Sequence, residues 1–360
     1  LVSQGDKHRS RRSIVAPAFQ PKRIVRYAEA IVADTDRVLD AFPPRGEVDV
    51  GEEMMRLTLH VVASTLIHTD VADDVRRVGE SFTAASEALM RIVRSVLPLP
   101  PHWPTPAGRK LTRAARELDD IVYRIIRARR ASDDDPGDLL SMLLSARDEQ
   151  GQGLSDLELR DEVLTLLLAG HETTANALTW AVQLISACPD VAEGLAAEVD
   201  RVLQGRAPSY EDLPQLAYCL QVLKEALRLY PPAYMMGRLA RVESELAGYR
   251  IARNQLVFVN VFGMHRREQL FDRAESFLPE RFADGAERRW PKNAYMPFGA
   301  GPRICVGNHF ALMEGQLVLA RLAQRLELAG SVPYIAEAEP LITLRPKGRV
   351  RMRVRPRAQA

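Results

Sequence analysis

The stretch 297–307, PFGAGPRICVG, places Cys305 in a glycine-rich turn. Gly299 and Gly301 allow positive φ, so the backbone can fold tightly enough to direct amide N–H groups at one sulfur atom. Such donors favour the thiolate form of a cysteine. The spacing F-x-x-G-x-R-x-C-x-G is therefore what an iron held by a thiolate needs.

The residues around Cys305 predict that this iron belongs to a haem. Arg303 carries a permanent positive charge suited to a haem propionate. Phe298 can cover the sulfur and exclude water, which tunes the potential of the iron. An apolar run with helical spacing follows, and the positive N-terminal end of that helix would stabilise the thiolate further. Its residues are Phe310, Met313, Leu317 and Ala320.

A lone cysteine in a turn is more often a small buried hydrophobic residue than a metal ligand. Here five positions are matched at fixed spacing, and the chain resembles the cytochrome P450 family. The matching residues are Phe298, Gly301, Arg303, Cys305 and Gly307. The resemblance implies a mainly α fold with minor β-sheet, the cytochrome P450 fold, and a haem b whose iron takes Cys305 as its axial thiolate.

Composition excludes several classes of protein. Lys and Arg number 49 against 47 Asp and Glu, so no bulk charge points to nucleic acid. Cys188, Cys219 and Cys305 are too few for a disulfide framework, and we interpret the first two as buried bystanders. With no apolar run of membrane-span length and no signal peptide, we expect a cytoplasmic protein. Length alone suggests about two domains, but motif placement predicts a single haem-binding domain over 1–360.

The hydrophobic periodicity is overwhelmingly helical. Predicted helices separated by Pro or Gly cover 28–42, 52–69, 73–96, 106–131, 155–187 and 220–230. Strands are expected only within 245–260 and 341–354. The helix over 106–131 is rich in arginine, which we interpret as a solvated face, with contact to a redox partner or a membrane surface as the alternative.

The helix over 155–187 contains a second chemical motif, Ala169-Gly170-His171-Glu172-Thr173-Thr174. Ala169 and Gly170 are small enough to let a flat ring approach the backbone. The Thr173 hydroxyl can bond the carbonyl four residues back and open the helix locally. A hydroxyl beside the Glu172 carboxylate can deliver protons to bound dioxygen. For His171 we favour a structural or pocket-lining role over iron ligation.

The resemblance assigns Glu172 and Thr173 as the acid–alcohol pair of an oxygen-activation groove. The alternative is a polar patch in a buried helix with no chemical role.

Glu225 and Arg228 form a third motif, E-x-x-R, whose i, i+3 spacing lets the side chains pair. The resemblance implies that Arg281 joins them in a buried network that fixes the sheet and loop under the haem. Such charged pairs are common on exposed helix faces, so the motif alone would be weak. His265-Arg266 most resembles a structural turn.

Further propionate partners are implied by the resemblance. Arg238 matches a position that often binds a propionate, and His8 and Arg12 resemble a helix that grips the haem from the other side. The alternative for His8 and Arg12 is a solvated basic run.

The activity implied is that of a haem-thiolate monooxygenase, which inserts one oxygen atom from O2 into a lipophilic small molecule such as a fatty acid or terpenoid. The sequence carries no flavin, nicotinamide or iron–sulfur fingerprint, so an external ferredoxin or flavodoxin is expected to supply electrons. A peroxide-driven peroxygenase, a haem carrier or sensor, and a purely structural helical protein are the alternatives. Proton-delivering Glu172 and Thr173 argue against the first two, and the Cys305 pattern argues against the third.

Compared with the family, the chain is expected to lack the N-terminal strands, the first helices and a loop over the substrate. Substrate specificity is expected in that loop and in the region 93–105.

Overall fold

The computed structural model describes residues 3–68, 74–95, 99–101, 103–132, 137–147 and 152–357. It is mainly helical with short strands, which confirms the predicted fold class. The α-helices are α1 (Gly5–Val15), α2 (Pro21–Ile24), α3 (Ala28–Asp40), α4 (Val50–Val62), α5 (Val75–Val93), α6 (Pro106–Arg130), α7 (Leu139–Ser145), α8 (Asp156–Ala187), α9 (Pro189–Leu203), α10 (Ala217–Leu229), α11 (Val261–Met264) and α12 (Asn308–Arg325). The strands are β1 (Gly46–Asp49), β2 (Met235–Leu239), β3 (Ser244–Leu246), β4 (Tyr249–Ile251), β5 (Leu256–Asn260), β6 (Ala338–Pro340), β7 (Leu344–Pro346) and β8 (Arg351–Val354).

The long helix α8 is the centre of the molecule. Ser155 caps its first turn and exchanges hydrogen bonds with Glu158, and this is the capping box that the sequence Ser155-Asp156-Leu157-Glu158 predicts. Helices α4, α6, α10 and α12 all pack against α8. At its C-terminal half, Trp180 stacks on Tyr230 with ring centroids 3.9 Å apart. A buried helix that is surrounded in this way can hold its side chains at fixed positions inside the protein.

Helix α4 ends differently from the prediction. The α-helical part stops at Val62, and Ala63–Ile67 forms a π-helical turn that ends at His68 with a φ of 47°. Arg129 of α6 closes this end by donating to the Ile67 carbonyl at 2.6 Å and pairing with Asp138 at 2.8 Å. The Arg129 side chain is therefore only 11% exposed, whereas most cations of α6 lie on the solvated face that the sequence predicted.

The strands form four separate antiparallel pairs, β1–β8, β2–β5, β3–β4 and β6–β7. The predicted strand over 245–260 is divided, because Ala247 and Gly248 both take positive φ and make a tight turn. β2 and β1 were not predicted. Strand β2 pairs with β5 in register from Met235 opposite Asn260 to Leu239 opposite Leu256.

The expected specificity region falls partly outside the described residues, since positions 96–98 and 102 are not described. The predicted helix over 73–96 corresponds to α5, and its expected first residue, 73, also lies outside the described residues. Among the cysteines, Cys219 is fully buried and Cys188 only half-buried, which corrects the prediction for the latter.

Candidate active site

The turn around Cys305 is shaped by its glycines, as the sequence predicts. Gly299 and Gly301 have φ of 74° and 69°. The Cys305 amide donates to the Phe298 carbonyl at 2.9 Å, which closes the turn. A side chain at Gly299 would have its Cβ 3.3 Å from the sulfur of Met236, so β2 lies directly against the turn. Glycine is needed there chiefly because of the positive φ, since the flexible Met236 side chain could move aside.

Cys305 is exposed to solvent, and neighbouring protein groups nevertheless desolvate its thiol in part. Burial raises the pKa of Cys305, while the Gly307 amide and the charge of Arg12 act in the opposite direction. The Gly307 amide thus acts in the direction that the sequence predicts, but in the free thiol desolvation outweighs it. A bound metal ion deprotonates a coordinating thiol outright, so the thiolate would form on binding.

Two arginines and a histidine lie together beside this turn. Arg12 of α1 donates to the Ile304 carbonyl at 2.6 Å. The pKa of His8 is lowered by desolvation and then by the charges of Arg303 and Arg12, so the three groups are close. No carboxylate of the described residues pairs with Arg12 or Arg303. Two arginines without a carboxylate partner next to an accessible sulfur fit a haem with its two propionates.

Arg238 on β2 is exposed. Within the described part of the chain, its side chain donates a single hydrogen bond, to the neighbouring Gly237 carbonyl at 2.9 Å. Its guanidinium thus keeps most of its donors available. The sequence placed Arg238 in the same set as His8 and Arg12, and it remains a prediction that all of them bind propionates.

Helix α8 brings Thr173 to the expected hydrogen bond, with its hydroxyl donating to the Ala169 carbonyl at 2.7 Å. The helix nevertheless remains α-helical from Asp156 to Ala187, so the predicted local opening is not found. Gly170 also serves the packing of α4 on α8, because a Cβ there would lie 2.8 Å from Val62 of α4. Its role beside the ring stays a prediction.

Glu172 is buried beside Thr343 in the turn between β6 and β7. The Thr343 hydroxyl donates to Glu172 Oε1 at 2.9 Å, and the Asn176 amide donates to the same hydroxyl at 3.0 Å. Burial raises the pKa of Glu172 to about 7, although the Thr343 hydrogen bond and the charge of Arg345 act against it. A carboxyl with this pKa can both release and accept a proton near neutral pH.

His171 is 1% exposed and packs edge-on against Phe82 of α5. Its Nδ1 bonds the Leu167 carbonyl at 2.7 Å, and burial lowers its pKa to about 4. A neutral, enclosed imidazole agrees with the structural role that the sequence favoured.

The E-x-x-R pair is fully buried. Arg228 binds Glu225 through two hydrogen bonds of 2.8 and 2.9 Å, and Arg281 approaches the same carboxylate at 3.3 Å. Arg228 also donates to the His265 and Ala274 carbonyls, each at 2.7 Å. The three predicted residues therefore meet.

His265 connects this network to the cysteine turn. Its Nδ1 contacts the Arg228 carbonyl at 3.2 Å, and its Nε2 accepts from the Met296 amide at 2.9 Å. Met296 immediately precedes the stretch 297–307. His265 is thus a structural element, as the sequence suggested, and it positions the turn that carries Cys305.

Sequence reasoning missed Thr343, Asn176 and Glu314. Thr343 lies in a segment that looked like a strand, so no local signal separates it from any other strand residue. Glu314 of α12 follows Cys305 by nine positions in an apolar run, and both of its carboxylate oxygens are buried without a hydrogen-bond partner. Burial raises the pKa of Glu314 well above its usual range, so it is a neutral acid close to Thr174. The only sequence signal for Glu314 was its position as a single acidic residue on an apolar helix face.

Comparison with known proteins agrees with this geometry. Residues 1–350 match the family described as cytochrome P450. The chain is 39% identical to cyclooctatin synthase of Streptomyces melanosporofaciens, over 90% of this chain and 72% of that protein. It is 36% identical to cyclooctat-9-en-7-ol 5-monooxygenase of the same organism, over 91% and 72%. It is 33% identical to pentalenene oxygenase of Streptomyces avermitilis, over 96% and 77%.

Among the described helices, none combines the length and apolar character required to cross a membrane. The family match covers the cysteine turn, the α8 motif and the E-x-x-R network together, and the relatives are oxygenases. The chain therefore belongs to the cytochrome P450 family, and it is an oxidoreductase of the monooxygenase type that uses haem b as its cofactor.

Proposed function

We propose that this monooxygenase oxidises a cyclic terpenoid or a similar lipophilic molecule, using O2 and electrons from a ferredoxin or flavodoxin. The observation that carries the proposal is the acid–alcohol pair on α8. Glu172 is a buried carboxyl with a pKa of about 7, and the next residue, Thr173, offers a hydroxyl. Such a pair is useful for proton delivery during O2 activation.

Cys305 would hold the haem iron through its sulfur, and the cations around the turn would hold the propionates. These cations are Arg303, Arg12, His8 and Arg238. Phe298 and Gly299 would cover the sulfur side, with Gly301 and Gly307 shaping the turn. When bound, the haem supplies the site at which O2 is reduced and one of its atoms is transferred to the substrate.

The chain's own residues would control protons. Glu172 exchanges a proton near neutral pH because its pKa lies there. Thr173 can turn its hydroxyl from the Ala169 carbonyl toward a water or ligand, since a single rotation about χ1 separates the two positions. Ala169, one turn before Thr173, would face the ring. A pocket that delivers protons only through these groups protects reductant from being wasted.

The terpenoid class rests on the relatives. Their names give cyclooctat-9-en-7-ol and pentalenene as substrates, and we extend this class to the present chain. An acidic electron donor is supported by the segment before the cysteine turn. In the described part of the chain, its exposed cations Arg288, Arg289 and Lys292 form no ion pair.

We also propose that 1–360 belongs to a single domain. One hydrophobic core extends from Val15 in α1 to Val354 in β8 and includes residues of α3, α4, α8, α10 and α12. A single core of this extent supports one cooperative unit.

The test is spectral and then catalytic. Reduced protein with carbon monoxide should give the red-shifted Soret band of a thiolate ligand. Cyclic terpenoids should shift the spin state, and products formed with ferredoxin or flavodoxin and labelled O2 should carry one labelled oxygen. Turnover with hydrogen peroxide alone would favour a peroxygenase, and haem binding without any turnover would favour a carrier or sensor.

A further inference from the structure

We propose that Thr343 is a positioning residue that holds Glu172 with Oε1 occupied and Oε2 free, so that proton exchange takes place at Oε2. The inference rests on the proposed role of Glu172 in proton delivery. It adds a residue from a different element, 171 positions away in the chain, to the machinery around α8.

The direction of the hydrogen bonds follows from the groups present. Asn176 can only donate through its Nδ2, and it donates to the Thr343 hydroxyl at 3.0 Å. A hydroxyl has one hydrogen, so the Thr343 hydrogen is left for Glu172 Oε1 at 2.9 Å. Asn176 therefore sets the direction of both hydrogen bonds in the series Asn176–Thr343–Glu172, and Glu172 Oε1 is an acceptor. A proton on Glu172 is then favoured on Oε2, because a proton on Oε1 would turn away the Thr343 hydrogen, which has no other acceptor among the described residues.

The turn that carries Thr343 is held rigidly. Trp180 of α8 donates through its Nε1 to the Leu344 carbonyl at 3.2 Å. Tyr234 donates to the Leu341 carbonyl at 2.9 Å, and the Leu344 amide donates to the Pro232 carbonyl at 2.9 Å. The hydroxyl is thus anchored on both sides. A donor held in a fixed position stabilises the Glu172 carboxylate more than a mobile donor would, since little conformational entropy is lost when the hydrogen bond forms.

Glu172 Oε2 makes no hydrogen bond to any described residue. Thr343 is 6% exposed and Glu172 4%, so the pair is nearly enclosed while one oxygen stays uncommitted. This asymmetry gives the carboxyl a defined exchange position. Without Thr343, either oxygen could carry the proton and the carboxyl could rotate.

The charged groups around Glu172 set the background of any titration. Arg345 of β7 favours the carboxylate, and it is itself paired with Glu339 at 2.9 Å and Glu87 at 3.4 Å. His171 precedes Glu172 and has a pKa of about 4. Glu314 of α12 lies beside the next turn of α8, near Thr174, and its pKa is raised well above the usual range.

The experiment measures the protonation of Glu172 directly. Infrared difference spectra of the resting haem-loaded protein are recorded across pH, with Glu172→Gln as the reference that identifies the carboxyl band. Thr343→Val keeps the shape of the side chain and removes the hydroxyl, and Thr343→Ser restores the hydroxyl. Thr179→Val is the matched control, because Thr179 is a buried threonine of α8 that bonds the Ala175 carbonyl at 2.7 Å instead.

Thr343→Val should shift the titration of Glu172 upward by about one pH unit, because a hydrogen bond to the charged form is lost. The pH profile of product formed per reductant consumed should move in the same direction. Thr343→Ser and Thr179→Val should leave both curves in place. An unchanged Glu172 titration in a folded Thr343→Val protein would overturn the proposal.

If Thr343→Val does not fold, Asn176→Asp gives a second test. The new carboxylate would accept the Thr343 hydrogen and turn it away from Glu172, so the titration should again move upward. A titration that stays in place in this variant would also overturn the proposal. The infrared measurement needs no turnover, so it remains informative if the protein fails as an oxygenase.

Discussion

At the scale of single residues, Cys305 is placed to bind iron although its thiol is uncharged before the iron binds. Its sulfur is accessible, but burial raises its pKa, so a free thiol is protonated at neutral pH. The Gly307 amide and Arg12 reduce the cost of ionisation without removing it. The turn thus favours a ligand that brings its own positive charge, which is what an iron porphyrin does.

Cys305→Ser should therefore abolish the red-shifted carbon monoxide band and all oxygenation, because a hydroxyl is a poor anionic donor to iron. Cys188→Ser is the control, since that half-buried cysteine lies in the α8–α9 connection, and it should keep both properties. The measurement is the carbon monoxide difference spectrum together with product formation. Oxygenase turnover in Cys305→Ser would contradict the ligand assignment.

Thr173→Ala should separate chemistry from haem binding. Alanine suits a helix, so haem content, the Soret position and substrate binding should stay close to those of the parent protein. Product per reductant consumed should fall at least about tenfold, with hydrogen peroxide released instead. The measurement is reductant, product and peroxide in the same assay.

The control for this variant is Thr174→Ala. Thr174 bonds the Gly170 carbonyl at 3.1 Å, and we expect a smaller loss of product when it is replaced. A double variant tests whether Thr174 replaces Thr173 in part. Unchanged consumption and product in Thr173→Ala would remove Thr173 from the mechanism.

At the scale of elements, what could be predicted depends on sequence distance. The cysteine turn, the capping box of α8 and the Glu225–Arg228 pair are local patterns, and the structure places all three as predicted. The Thr343–Glu172 bond joins residues 171 positions apart, and no local pattern encodes it.

Gly170 shows a second limit of the sequence. Its motif suggested space for a ring, and the structure adds that the Cβ direction of Gly170 faces Val62, which belongs to a helix far away in the chain. A glycine in a helix indicates that another group packs closely against the backbone, but the sequence does not identify that group. Only the packing of α4 on α8 identifies the neighbour.

Gly170→Ala should destabilise the protein by about 1–3 kcal/mol, because its Cβ would lie 2.8 Å from Val62. Combining it with Val62→Ala should give a smaller loss than the sum of the two single changes, since the clashing methyl group is gone. Denaturant unfolding of the four proteins completes a double-mutant cycle. Strict additivity would show that Val62 is not the obstacle.

Glu225→Ala and Arg228→Ala should each cost about 3–5 kcal/mol and yield little haem-loaded protein, because one buried charge loses its partner. Both side chains are 0% exposed. Arg113→Ala is the matched control, since it breaks the exposed Arg113–Glu117 pair of α6 and should change stability by less than about 1 kcal/mol. Normal haem content and melting temperature in both core variants would contradict the structural role.

At the scale of the whole molecule, the site is assembled from distant parts of the chain. Helix α1 supplies Arg12, the cysteine turn supplies Arg303, and β2 lies against that turn through Met236. A ligand that contacts all three would tie the two ends of the chain together. Haem loading should thus raise the melting temperature of the whole protein.

Arg303→Gln should act in opposite directions on the loaded and haem-free protein. In the haem-free protein Arg303 lies near Arg12 and His8 without a carboxylate partner among the described residues, so removing its charge relieves repulsion. The haem-free melting temperature should be unchanged or slightly higher. In the loaded protein a propionate loses its partner, and haem should dissociate about tenfold faster.

The measurement combines thermal melts of both forms with the rate of haem transfer to an acceptor protein. Arg253→Gln serves as the control, because Arg253 is an exposed arginine in the β4–β5 connection that forms no ion pair in the described part of the chain. It should alter neither form. Equal losses of melting temperature in the loaded and haem-free forms of Arg303→Gln would instead make Arg303 a structural residue, because losing a group that acts through the cofactor destabilises only the protein that contains the cofactor.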